Sequence, residues 1–115
     1  MALHFDEMIS SPARLEVLSA LVPGEAVSFS DLKRATGLAD GNLHVQSGKL
    51  VEAGYVTSRK ARRGGRRVTE FRLTELGLER FRRHVRQLQA VLDTEVGVIR
   101  PLTPAERGDD SEVWA

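Results

Sequence analysis

A chain of 115 residues, 41% of them hydrophobic, has material for one modest core and too little for two. It contains no cysteine, which excludes disulfides, thiolate metal sites and cysteine nucleophiles together. The formal net charge of +1 hides a polarised molecule: residues 55–86 carry eleven basic against three acidic residues, net +8, while the remainder is net −7. A surface of that kind calls for a polyanionic partner. No apolar run approaches the roughly 18 residues of a membrane span, and Met1-Ala2-Leu3-His4-Phe5-Asp6-Glu7 has neither the basic start nor the hydrophobic stretch of a secretory signal. The expected setting is the cytoplasm, without membrane contact.

In chain order, Ser11-Pro12 opens the first helix, with Ser11 as cap and Pro12, whose φ is fixed and whose donor is missing, at the first helical position. Leu15, Leu18, Leu21 and Val22 fall on one face, and Pro23-Gly24 ends the run. Upstream, Phe5, Met8 and Ile9 predict a short helical turn or two. Ala26-Val27-Ser28 reads as a short extended piece, and Ser28, with Asp31 three residues on, starts a short second helix through Thr36. Gly37 is its left-handed stop. Only Gly37-Leu38-Ala39-Asp40 separate it from the next start, where Asp40 is the expected cap. Two helices joined by so tight a turn must cross steeply, as in a helix-turn-helix.

The third helix is predicted from about Gly41 to Ala53, ending at Gly54. Leu43 and Leu50 set its inner face. Gly41, His44, Val45 and Gly48 lie opposite, with Asn42 and Lys49 at the margins. The period then changes from helical to extended. Residues 55–62 and 68–73 are expected to form two antiparallel strands around Gly64-Gly65, a two-glycine turn flanked by Arg62, Arg63, Arg66 and Arg67. Thr74 caps a last helix predicted to run to about Val96. Its apolar residues Leu78, Phe81, Val85, Leu88 and Leu92 are spaced in alternating threes and fours, a coiled-coil-like seam. Residues 97–115 show no periodicity and are expected to be a mobile tail.

The residues themselves carry a family resemblance. Ser11-Pro12-Ala13-Arg14-Leu15, then Leu32-Lys33-Arg34-Ala35-Thr36-Gly37-Leu38-Ala39-Asp40-Gly41-Asn42-Leu43, then Lys49-Leu50-Val51-Glu52-Ala53-Gly54-Tyr55-Val56, then Phe71-Arg72-Leu73-Thr74-Glu75-Leu76-Gly77 together resemble small bacterial winged-helix transcriptional regulators of the MarR/ArsR-related type. The resemblance covers roughly residues 5–95. It implies a mainly α fold with a small β-hairpin, a winged helix-turn-helix with a long C-terminal dimerisation helix. It also implies a homodimer on a short palindromic DNA site, with the third helix in the major groove and the wing at the flanking minor groove. Relatives usually carry histidine and leucine where this chain has Gln46 and Ser47, and Gly48 weakens the middle of the recognition helix by about 1 kcal/mol relative to alanine.

On this reading residues 1–96 are one winged-helix DNA-binding domain, including a dimerisation helix over 74–96, and 97–115 are a tail. The recognition residues are Asn42, His44, Val45, Gly48 and Lys49. Asn pairs bidentately with adenine, Val45 fits a thymine methyl, and Lys49 suits a phosphate. The wing residues Arg62, Arg63, Arg66 and Arg67 suit a narrow minor groove or phosphates. The dimer residues are Phe81, Val85, Leu88 and Leu92. Glu75 and Glu79 precede Arg82 and Arg83, so an ordinary ion-paired helix face is expected to account for most of Arg80, Arg82, Arg83 and Arg86. His4, His44 and His84 are too dispersed for a metal site, no catalytic grouping emerges, and no cofactor is implied. The partner is double-stranded DNA. A winged-helix module for RNA or for a protein partner is the alternative, and no residue names a small-molecule effector.

Overall fold

The computed structural model describes residues 4–93. It has the expected winged helix-turn-helix architecture, in the order α1 (Pro12–Leu21), β1 (Val27–Ser28), α2 (Phe29–Thr36), α3 (Asp40–Glu52), β2 (Val56–Arg63), β3 (Arg66–Leu73) and α4 (Glu75–Leu92). The extension of the last helix to Val96 and the tail over 97–115 lie outside the described residues. No described helix is long and apolar enough to cross a membrane.

Local chemistry explains most boundaries. The hydroxyls of Ser11, Ser28 and Thr74 accept hydrogen bonds from the amides of Arg14, Asp31 and Gly77, each satisfying an orphan donor of the first turn. Gly37 closes α2 at φ +73°, a backbone that side-chain-bearing residues adopt at a cost. The expected cap of α3 is corrected: Ala39 occupies that position without a side-chain bond. Asp40 is the first helical residue instead, its carboxylate 2.8 Å from Lys33 Nζ, so it bridges the helix-turn-helix rather than capping it.

Both strands extend further toward the turn than their sequence pattern indicated. Gly64 and Gly65 have φ of +58° and +79°, a primed two-residue turn whose twist matches the strands, so pairing continues to Arg63 opposite Arg66. β3 is the central strand: β2 pairs with it on one side and β1 on the other, with Val27 opposite Phe71.

The core gathers Ile9, Val17, Leu18 and Leu21 against Leu32, Leu43, Leu50, Val56 and Phe71. Val22, expected inside, is 38% exposed at the C-cap of α1, and Val17 takes the inward place. Upstream of α1 a single turn forms, with the amides of Ile9 and Ser10 donating to the Asp6 carbonyl. This strap is tied down at three points. The Arg14 Nε donates to the Met8 carbonyl at 2.6 Å, Gln87 Nε2 to the His4 carbonyl at 2.9 Å, and the Tyr55 hydroxyl to Asp6 Oδ2 at 2.6 Å.

α4 meets the sheet through Gly77. A Cβ there would stand 2.1 Å from the Tyr55 carbonyl oxygen and 2.9 Å from Leu73 Cδ1, so only glycine permits the approach. Gly77→Ala is therefore expected to destabilise the domain by about 1 to 3 kcal/mol. Calorimetry should show a fall of roughly 4 to 8 °C in Tm for each kcal/mol. An unchanged Tm would mean that α4 is not seated this way.

Burial, then the hydrogen bond to and negative charge of Asp6, push the Tyr55 phenol up to about 12, with Arg80 opposing. The folded value exceeds the ordinary 10.0, so the protonated phenol's contribution to stability is complete below pH 10 and disappears as pH rises through about 12. Tyr55 is the single tyrosine of the chain, so ultraviolet titration reads it alone. The phenolate should form near the raised value in the folded protein and closer to the ordinary one in the folded Asp6→Ala variant.

Candidate nucleic-acid interface

The outward face of α3 is laid out by its own periodicity. Leu43, Ser47 and Leu50 are buried, and this orientation leaves Asn42, His44, Val45, Gly48 and Lys49 exposed together. Nothing stands within 4 Å of the place a Cβ on Gly48 would occupy, so the helix offers bare backbone in its middle. The two departures from the resembled pattern have structural roles. The Ser47 hydroxyl, buried, donates to the His44 carbonyl at 3.3 Å. Gln46 joins two elements: its oxygen accepts from Arg14 Nη1 at 2.8 Å while its amide donates to Asn42 Oδ1 at 3.0 Å. Asn42 is thus held at one end and exposed at the other, and His44 rests its ring edge-on against Phe29 of α2 at 6.2 Å.

Beside α3 runs a groove of about 640 Å³, lined by Ser28, Phe29 and Asp31 at the start of α2, by His44 of α3, and by Arg63, Arg66, Arg67 and Thr69 of the wing. The structure therefore brings three of the four hairpin arginines to the same groove as His44 of α3. Their conditions differ. Arg66 and Arg67 make no side-chain hydrogen bond or ion pair among the described residues, and Arg62 Nη1 donates back to the Gly65 carbonyl at 3.1 Å, bracing the turn. Arg63 is engaged with Glu70. Lys49 lies away from that groove, beside Arg14 and Glu52 in a second depression.

Glu70 and Arg59 were not singled out in the sequence. Glu70 is only 2% exposed, yet it is the one acidic residue of the hairpin Val56–Leu73, among seven cations. Its Oε1 accepts from Arg59 Nε at 3.1 Å and its Oε2 from Arg63 Nε at 2.6 Å, with the Nη2 atoms of both arginines also on the carboxylate. The hydrogen bond from Arg63 holds the Glu70 carboxyl below its ordinary 4.5; burial acts against this, and the bond from Arg59 and the two positive charges reinforce it. A signal for this pair existed. A two-residue turn at Gly64-Gly65 fixes the register outward from it, and counting back sets Arg59 opposite Glu70.

On α4 the seam divides. Phe81 is half-buried and packs on the core of the chain, while Val85, Leu88, Val91 and Leu92 are exposed, Leu92 at 74%. The ion pairing expected along this helix is narrower than its sequence indicated: Glu79 lies 3.9 Å from Arg80 and pairs with neither Arg82 nor Arg83. His84 is buried beneath Phe5, its ring 5.9 Å away and edge-on, and its Nδ1 has no hydrogen-bond partner among the described residues.

Comparison with known proteins agrees with this fold. A family model described as a winged helix DNA-binding domain matches residues 13–92. An uncharacterized protein of Methanocaldococcus jannaschii is 30% identical over 82 residues, 71% of this chain and 89% of that one. Among solved structures, the transcriptional regulator homologue from Pyrococcus horikoshii OT3 superposes with a TM-score of 0.71 at 28% identity, covering 76% of this chain and 87% of its own. A putative transcriptional regulator of the MarR family from Porphyromonas gingivalis W83 shares the fold, with a TM-score of 0.61 at 14% identity over 82% of this chain and 99% of that one. The chain belongs to the winged helix DNA-binding domain family, with the fold of MarR-like transcriptional regulators.

Proposed function

We propose that this DNA-binding regulator works as a homodimer, with α3 in the major groove and the arginine wing at the adjacent minor groove or its phosphates. The observation that carries the reading is the shared groove: His44 at the front of α3 and Arg63, Arg66 and Arg67 of the wing border one cleft, so a duplex lying along α3 also meets the wing. The first turns of a helix lying in the major groove come closest to the bases, and Asn42, His44 and Val45 occupy those turns. Charge near the wing supplies attraction that ignores sequence, while the exposed helix supplies base contacts.

Specificity is tested by selecting bound fragments from genomic DNA, then comparing the selected site with random duplex. Asn42→Ala or His44→Ala should cost about 1 to 3 kcal/mol on the selected site and much less on random DNA. A specific-to-random ratio that survives both changes removes α3 as the reading element. If structured RNA competes better than duplex, the RNA reading takes its place.

The dimer rests on the exposed stripe of Val85, Leu88, Val91 and Leu92, which the protomer leaves uncovered next to Phe5 of the N-terminal strap and the buried His84. A contiguous apolar strip on a charged helix marks an association surface. Leu88→Glu with Leu92→Glu should yield folded monomer by sedimentation and a duplex affinity reduced to that of a single half-site. An unchanged dimer, or a wild type that is already monomeric, would overturn this part.

A further inference from the structure

A buried carboxylate is costly to desolvate unless its partners are well placed, and Glu70 has two. Arg59 and Arg63 each present the Nε–Nη2 edge to it, so one carboxylate accepts four contacts. A guanidinium has five donors in a rigid fork, and the donors not used on Glu70 remain available to an outside acceptor. The two side chains keep 67% and 59% of their surface exposed, while Glu70 lies hidden beneath them. Residues 59, 61 and 63 share a face of β2, since side chains alternate along a strand. Arg63 on that face also borders the groove that contains His44.

We propose that Glu70 is a positioning residue for DNA binding: from beneath their stems it grips Arg59 and Arg63 by their inner edges and sets their outer edges as a fixed pair of forks for backbone phosphates. Arg59 thereby joins the contact surface of the wing. The proposal rests on the DNA reading above. An arginine already held in place loses little rotamer freedom when it meets a phosphate, whereas a free one must be ordered at that moment. Simple charge counting gives the opposite sign, because removing the carboxylate makes the wing more positive and should tighten binding to any duplex. The two accounts therefore diverge on one substitution.

Glu70→Gln keeps the size of the side chain but leaves one acceptor oxygen for two forks. Affinity for the selected site and for random duplex, measured across a salt series, should fall about tenfold for both, since phosphate contacts carry no sequence information. The logarithmic salt slope should shrink by up to about 0.9 for each arginine that loses its phosphate, despite the added positive charge. Arg59→Lys, which keeps the charge and loses the fork, should reduce affinity in the same direction by about threefold. Glu70→Gln that stays folded yet binds as tightly as wild type, or more tightly, overturns the proposal, as does a folded variant with an unchanged slope. Where Glu70→Gln fails to fold, Arg59→Lys decides: undiminished affinity overturns it. A wild type that binds no duplex at low salt overturns the DNA reading and this assignment together, whereas wild-type binding with insensitive variants overturns this assignment alone.

Discussion

The register of β3 is the constraint on which the rest of the molecule depends. Side chains alternate across a strand, so a shift of one residue would exchange the two faces completely. In the observed register Phe71 enters the core, paired with Val27 of β1 and packed near Phe29 of α2, while Glu70 lies under Arg59 and Arg63. A slipped strand would place a carboxylate in a hydrocarbon core and a phenylalanine among arginines, and both changes are strongly unfavourable. The register originates at Gly64-Gly65, where two consecutive left-handed residues allow a turn with no slack. A loop tip far from the core thus decides which residues of β3 reach the core and which face away from it.

The helices are fixed to that sheet by contacts that leave little freedom of placement. Gly77 lets α4 touch the Tyr55 carbonyl, the Thr74 hydroxyl donates to the Gly54 carbonyl and accepts from Gly77, and the Tyr55 side chain reaches Asp6 in the strap. From the strap, Arg14 carries the connection to Gln46 on α3 and so to Asn42. The start of α4 and exposed Asn42 of α3 are therefore joined through a continuous set of hydrogen bonds. Such a set fixes side-chain orientation more than it adds stability, because each bond replaces one to water and contributes little net free energy.

Much of the fold was legible because punctuation and period agreed. Ser11-Pro12, Gly37, Gly54 and Thr74 mark ends by backbone and capping chemistry that operates within a few residues, and tertiary contacts did not override it. Where the reading failed, the competing effect was nonlocal. Asp40 is a good cap by type, yet the cap position falls one residue earlier, at Ala39, and the Asp40 carboxylate pairs with Lys33 across the turn instead. Val22 fits the helical stripe, but a stripe does not say where the helix ends relative to the core. In the candidate site, the exposed set on α3 followed from periodicity alone, and the grouping of wing and helix around one groove required the fold. Glu70 escaped notice because a single acidic residue in a basic strand looks like solvated decoration. Only pairing geometry shows it to be buried.

The distribution of charge bears on how affinity and discrimination are separated. The exposed face of α3 has one formal cation, Lys49, beside the neutral Asn42, His44, Val45 and Gly48, whereas β2 and β3 hold seven. Attraction to phosphate acts equally on every sequence, so a recognition helix crowded with cations would strengthen correct and incorrect sites alike. On the proposed reading, concentrating the cations on the wing would leave the helix to distinguish bases by hydrogen bonding and shape. Unrestrained, though, a strongly basic hairpin repels itself: Arg59 and Arg63 lie on one face of one strand, four residues apart. A carboxylate beneath them offsets the repulsion between these two arginines, and because it is buried it adds almost no negative surface to the wing. One acidic residue in that place allows the wing to be both highly charged and ordered.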